Sequence, residues 1–330
     1  MSKAIAFGYI WKVSVANVNA SHSQGNVIVA KQITLPDGST RPYISGQAIR
    51  RMVRDRWADC GWPLAEEKAT VSGQEVKPPL EPWKFIDEDL FGYLDASGGR
   101  RRVSPVRVTA AVGQFPYQGD RDLGTRSFQH FGAQMAEGGN MFETEVYANV
   151  FRGALLVELD RIGRWPLAEL SKGAEELAKV LEPRVYQLHQ EDQQSGWVEA
   201  SSEEKSRRLK ALFAALRSLW GGGRTARLLV DLSPIAFFYA RLQVKQPLFV
   251  ELPEVRYGAA GLSIDLVSLR EALALADGAL ERVIVGLSSA HVCNADGLRA
   301  GLNERATVAS LPQAWQQLER DLEQLWKGTC

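Results

Sequence analysis

The sequence has 330 residues and no apolar stretch long enough to cross a bilayer. Its longest such runs, Ile5 to Val18 and Leu228 to Ala240, are broken by Lys12 and Asp231 and fall short of roughly 20 residues. The N-terminal MSKAIAFGYIWKVSV lacks a small-residue cleavage site after its apolar run, so no secretory signal is expected. Cysteine is scarce. Cys60, Cys293 and Cys330 are far apart and odd in number, which excludes a disulfide framework and fits a reducing, cytoplasmic setting. His291 and Cys293 sit two apart, but nothing nearby completes a metal shell, and the segment reads as a small polar loop. GxxxxGK[ST], HExxH, GxSxG and GxGxxG are all missing. Gly221 to Gly223 follows a helix and precedes a strand, the reverse of a phosphate-binding P-loop. Nothing argues for an enzyme, and no cofactor or metal is expected.

There is also no carboxylate before Asp37. Through Arg56 eight basic residues face only Asp37 and Asp55, a net of +6 in a chain whose 39 basic and 39 acidic residues cancel. From Glu251 to Cys330 eleven acids outnumber seven bases, a net of −4. A basic end and an acidic end suggest a polyanion site and a complementary surface for a partner or another copy. Charge alone leaves a solvated, arginine-rich helix face equally open. With 45% hydrophobic and 24% charged residues the composition is that of a globular protein, which excludes a disordered chain and a coiled-coil rod. The length suits two structural units, or one core carrying large insertions.

Residues 5 to 16 alternate. Ile5, Phe7, Tyr9, Trp11, Val13 and Val15 share one face and Ala6, Gly8, Lys12, Ser14 and Ala16 the other, the pattern of a half-buried strand. Two β-rich runs, Asn26 to Leu35 and Arg41 to Ile44, flank the turn Pro36-Asp37-Gly38. Ser45 then caps a helix whose apolar stripe is Ile49, Met52, Val53 and Trp57, while Arg50, Arg51 and Arg54 lie off the stripe. Residues 64 to 84 read as an irregular insertion, and the adjacent acids Asp87, Glu88 and Asp89 as a solvated face. RRRVSPVRVTAAVG looks like a strand, whereas Gly113 to Phe142 shows no period and reads as a long functional loop. Thr144 to Leu159 returns to strand. Pro166 to Leu181 and Ser201 to Trp220 are expected helices, the second with a capping box from Ser201 to Glu204. LLVDL and Arg282 to Leu287 are expected strands, and a helix from about Leu311 to Lys327 closes the chain. The interleaving suits an α+β core with inserted subdomains.

TRPYISGQAIRRMVR, DLFGYL, RRVSPVRV, TEVYANVFRGALLVEL and GGGRTARLLVDLSP follow one another in this order. Together they resemble the backbone subunit of CRISPR type I effector (Cascade) complexes, the Cas-seven family, in its DevR/Cst branch. SGQAIRRMVR is the most specific of these elements. The resemblance implies a ferredoxin-like, RRM-related palm with inserted finger and thumb regions. On this chain the palm would be 1–60 and 144–330, the finger 61–112 and the thumb 113–143. It further implies a non-catalytic subunit that binds guide RNA (crRNA), stacks head to tail with copies of itself, and presents the guide to a target DNA strand. Other Cascade subunits, Cas-five-like, Cas-six-like and a large Cas-eight-like one, would be its partners, with no membrane involved.

A guide held without reading its bases needs contacts to phosphate and sugar. The helix beginning after Ser45 offers free N–H groups, with Ser45 and Gln47 as hydrogen-bond donors and Arg50, Arg51 and Arg54 as charge. The family uses matching Ser, Gln and basic positions against the RNA backbone. Asn17 and Asn19 are further candidates in the loop after the first strand, and Arg224 and Arg227 match a basic segment of the family. For Arg101 and Arg102, RNA contact and plain surface charge stand level. Phe128 and Met141 are candidate thumb wedges against bases. The acidic C-terminal part would suit head-to-tail contact.

Two alternatives have other chemistry. Backbone subunits of type III complexes cut target RNA with a metal-dependent aspartate in the loop between the first strand and the basic helix. Asn17 to Leu35 contains no Asp or Glu, and Asp37 is explained by its turn. A DNA-binding developmental regulator would need a helix-turn-helix signature that the sequence lacks.

Overall fold

The computed structural model describes residues 2–72, 75–126, 140–190, 195–222, 228–302 and 304–326, with the backbone alone at 72, 75, 125, 126, 140 and 141. The principal strands are β1 (Ala4–Ala16), β2 (Thr40–Ile44), β3 (Val106–Val108), β4 (Ala111–Gly113), β5 (Gly119–Arg126), β6 (Asn140–Glu158), β7 (Ala236–Leu242), β8 (Leu280–Leu287) and β9 (Thr307–Ser310). The helices that matter here are α1 (Gly46–Asp59), α2 (Ile86–Phe91), α3 (Ser202–Arg217) and α4 (Leu311–Gln324). One large mixed sheet runs β9-β8-β7-β1-β6-β4-β2, with β3 and β5 also paired to β6. β8 and β9 are parallel; β1 is antiparallel to both its neighbours. The α+β class is as expected.

The alternation of β1 explains its central place. Ile5, Phe7, Tyr9, Trp11 and Val13 enter the core that the stripes of α1, α3 and α4 complete. Phe7 meets Phe213 edge-on at 5.1 Å, and Tyr9 stacks on Trp11 at 4.2 Å. Burying each such aromatic contributes about 2–3 kcal/mol.

The opposite face is solvated at Lys12 and Ser14, as the alternation suggested, but not from Ala4 to Ile10. Ala6 and Ile10 lie in a second core with Phe249, Leu269, Leu273 and Leu298, supplied by the chain after β7. Gly8 is required there, because a Cβ would come within 2.6 Å of the Phe249 Cβ. Val15 departs from its expected face too. The register shifts between Val13 and Ala16, which turns Val15 out, 62% exposed, and Ala16 in.

Residues 113–143 contain more regular structure than their pattern showed. β5 pairs residue for residue with the first eight positions of β6, from Gly119↔Tyr147 to Arg126↔Asn140. Most of β5 is exposed, so its strand carries no hydrophobic period. The segment 228–232 is irregular rather than a strand, joined to the residues after α3 by the bridge Trp220↔Asp231 and by hydrogen bonds from Leu232 N to Leu219 O and from Gly221 N to Val230 O. Of 166–181 only Ala174–Val180 is α-helical, after a 3₁₀ turn at Leu167–Glu169; Arg164–Pro166 joins a small sheet with Tyr186–Gln190 and Gly196–Ala200.

The acids of α2 form no solvated face. Asp87, Glu88 and Asp89 are 5%, 2% and 0% exposed. Asp89 accepts from the Arg102 and Arg208 guanidinium groups, the Trp165 indole and the Gly163 N–H. Glu88 accepts the N–H groups of Leu80 and Glu81, and Asp87 that of Ala65. Buried carboxylates persist only when paired or hydrogen-bonded in this way. Among the described residues no helix is long and apolar enough to cross a membrane.

Candidate nucleic-acid interface

α1 starts where the loop after β1 folds back on it. Ser45 caps the helix, its Oγ accepting from Ala48 N at 3.2 Å, while its own N–H donates to Asn19 Oδ1 at 2.9 Å. Asn19 therefore ties the loop to the helix start, and its carbonyl also accepts from Lys31 N. Gly46 lies against the strand side of the sheet so closely that a Cβ would sit 2.5 Å from Val108 O. Gln47 is exposed beside this turn. Asn17 is buried; its Nδ2 reaches Ile28 O at 3.5 Å, and its Oδ1 has no partner among the described residues.

The arginines of α1 divide. Arg50 donates to Val106 O and Arg54 to Asp87 Oδ2, and both guanidinium groups lie over the Phe91 ring, at 5.5 and 5.1 Å. Burial, with Arg54 nearby, lowers the Arg50 pKa below its ordinary value. Arg51 is exposed and bridges Asp55 and Glu66, which hold its pKa above the ordinary value, the Glu66 hydrogen bond most of all. Arg56 pairs with Asp59 and stacks on Trp220, 4.4 Å from the ring centre. Of the eight basic residues through Arg56, three, Arg51, Arg54 and Arg56, are thus paired with carboxylates between Asp55 and Asp87.

A cleft of about 540 Å³ opens along this side of α1. Val18 and Asn19 form one wall, Arg51, Met52 and Arg56 another, and Trp220 with Gly221 and Gly222 the third. Both glycines have positive φ and approach closely: a Cβ on Gly221 would lie 2.7 Å from the Met52 side chain, and one on Gly222 3.1 Å from Val18 Cα. The structure so brings together Asn19, Ser45 and Arg51 from the expected set, with Gln47 at the helix start. It adds Arg56 and Trp220, which the sequence reading missed. The available signal was Trp220 itself, a large aromatic off the α3 stripe and next to the glycines.

Other candidates lie elsewhere. Arg101 is exposed on a short strand, Arg101–Arg102, away from the cleft. Arg102 is neither surface charge nor free for a ligand. It is 3% exposed and donates to Asp89, Glu169 and the carbonyls of Arg161 and Arg164. Arg224, Arg227 and Phe128 lie outside the described residues, as does the side chain of Met141. In the acidic C-terminal part, Asp321 is buried, accepting from the Tyr239 hydroxyl and Arg241, while Glu319 and Glu323 pair with Arg217 and Lys210 of α3. Those three acids tie α4 to β7 and α3; Asp321 is closed to solvent, while Glu319 and Glu323 stay about half exposed.

Comparison with known proteins places this geometry. Residues 83–242, just under half of the chain, match the family described as CRISPR-associated negative auto-regulator DevR/Csa2. A chain of a "CRISPR RNA-guided surveillance complex, pre-nicking" is similar in structure, with a TM-score of 0.59 at 12% identity, covering 97% of this chain and all of that one. A chain of a "CRISPR RNA-guided surveillance complex" gives 0.55 at 14% identity, over 96% of this chain and 99% of that one. At these identities the likeness establishes the fold. No curated protein matches the sequence. The resemblance drawn from the sequence motifs is borne out.

Proposed function

Taking the DevR/Csa2 match and the shared fold of surveillance-complex chains as premise, we propose that this is a Cas-seven-type backbone subunit that binds guide RNA without cutting it. Copies stack head to tail along the crRNA and present it to a target DNA strand, in company with the other subunits of a type I effector. The palm is read as ferredoxin-like. β1, α1, the β3–β4 segment, β6, α3 and β7 follow one another as βαββαβ, and their strands lie side by side as β7-β1-β6-β4 with α1 and α3 on one face. The β5–β6 hairpin belongs to the thumb in this reading.

The observation that carries the proposal is the cleft beside the start of α1. It joins the loop after β1, the capped helix start and the glycines after α3, on the fold of surveillance-complex chains. Exposed carboxylate pairs such as Arg51–Asp55 are worth only about 0–1 kcal/mol, so an RNA phosphate can replace the carboxylate at small cost. The loop from Asn17 to Leu35 supplies no Asp or Glu to hold a metal against a scissile phosphate, which supports binding without cleavage.

The test is to purify the chain alone and follow its size-exclusion profile by the 260/280 absorbance ratio. Extracted nucleic acid is then treated with RNase or DNase and incubated with Mg²⁺. The expected result is large, RNase-sensitive assemblies holding uncut RNA. Affinity should fall by about 0.7 log unit per log unit of salt for each phosphate neutralised. A nucleic-acid-free monomer that ignores single-stranded RNA overturns the proposal, and RNA cut at regular intervals replaces it with the cleaving alternative.

A further inference from the structure

The cleft beside α1 is balanced in charge. Its two arginines, Arg51 and Arg56, are matched by Asp55 and Asp59 on the same helix. A phosphate seat needs surplus positive charge or free N–H groups, and the interior offers neither in excess. What it offers instead is apolar and flat: Val18, the Met52 side chain, the backbone of Gly221 and Gly222, and Trp220. Trp220 is 38% exposed, although it carries the largest apolar surface of any residue type and has Arg56 stacked against it. Its backbone is held by the bridge to Asp231 and, one residue earlier, by Leu232 N donating to Leu219 O. The ring thus stands on a held stretch of backbone with Arg56 against it, and the volume of about 540 Å³ lies within the range of small-ligand sites.

We propose that the cleft receives one unpaired nucleobase of the bound strand, stacked on Trp220, with the flanking phosphates left at the rim beside Arg51. The inference rests on the RNA-binding reading and adds to it a contact to a base inside the palm, where that reading places contacts to phosphate and sugar. Stacking is compatible with any guide sequence, since every base has a π-face. The Arg56 guanidinium increases the pull on a base by holding the indole in position and adding a cation to the stack.

The experiment uses the full chain and two fluorescent probes of equal length, single-stranded oligouridylate and the same ribose-phosphate backbone without bases. Anisotropy titrations compare the wild type with Trp220→Ala and Trp220→Phe. The expected outcome is that Trp220→Ala weakens binding of the base-bearing probe by roughly tenfold or more and leaves the abasic probe unchanged, while Trp220→Phe retains most of the affinity. Equal affinity of Trp220→Ala and wild type for oligouridylate overturns the inference and leaves the RNA-binding reading standing. An equal loss on both probes also overturns it, by assigning Trp220 to the scaffold. A wild-type chain that binds neither probe overturns both.

Discussion

The Asp89 carboxylate and the Arg208 guanidinium, both sealed from solvent, meet at 2.9 Å although 119 residues separate them in the chain. Burial works against the charge on Arg208, but Asp89, Tyr186 and Glu204 beside it raise its pKa above the ordinary value. The pair joins α2 to α3, and so connects the segment between the two palm helices to the palm itself.

Removing one member of that pair leaves a buried charge without its counter-ion. Asp89→Ala is expected to lower unfolding free energy by about 3–5 kcal/mol. The Arg208→Met, Asp89→Leu double variant should recover a large part of the loss. Urea unfolding midpoints check this, and a double variant no better than the single one would show that the remaining donors, Arg102 and Trp165, dominate.

Glu88 gives a pH dependence of definite sign. Burial pushes its carboxyl up to about 7, against the hydrogen bonds from Leu80 and Glu81 that favour the anion. The folded protein therefore holds a proton that the unfolded chain, with its ordinary value near 4.5, has lost. Stability from this group is complete below the unfolded value and is lost as pH rises toward 7, up to about 3 kcal/mol in all. Urea unfolding of wild type and Glu88→Gln at pH 5 and pH 8 reads the difference of differences. Glu88→Gln should gain on the wild type as pH rises, and a constant offset would contradict the assignment.

Gly46 is where α1 touches the sheet edge at Val108 O. Gly46→Ala, helix-favouring on propensity alone, is expected to destabilise by about 1–3 kcal/mol because the added methyl overfills the contact. Because the shift displaces the capped helix start, RNA affinity should fall with it. Thermal unfolding and RNA titration on the same preparation test both parts.

Arg51 and Arg102 separate function from scaffold. Arg51→Ala should change stability by less than about 1 kcal/mol and reduce the salt slope of RNA binding by about 0.7. Arg102→Ala should do the reverse, costing several kcal/mol and leaving the slope of the surviving folded protein unchanged. Salt titrations alongside urea melts distinguish the two, and a reduced slope for Arg102→Ala would mean that the buried network reaches the RNA.

What could be read in the sequence follows from how local the cause was. The odd face of β1 as far as Val13, the stripe of α1 and the Ser45 cap depend on neighbours within a few residues, and all three form as expected. The burial of Asp87 to Asp89 depends on Arg54, Arg102, Trp165 and Arg208, and no local pattern in IDEDLF announces them. The second face of β1 is covered by residues nearly 250 positions later, so Ala6 and Gly8 looked like a polar-side filler when they are clearance for Phe249. At the site, the sequence located α1 and the loop before it. It could not distinguish Arg50, turned to a carbonyl, from Arg51, turned to solvent, because both lie off the same stripe.

β6 is a single strand of 19 residues whose first half forms the hairpin with β5 and whose second half pairs with β1 in the middle of the sheet. At about 3.3 Å per residue it spans roughly 60 Å without a joint. The hairpin is therefore continuous with the core of the sheet. A pull along it loads the β1–β6 ladder in shear, and the hydrogen bonds, lying across the strand direction, resist together and not one after another.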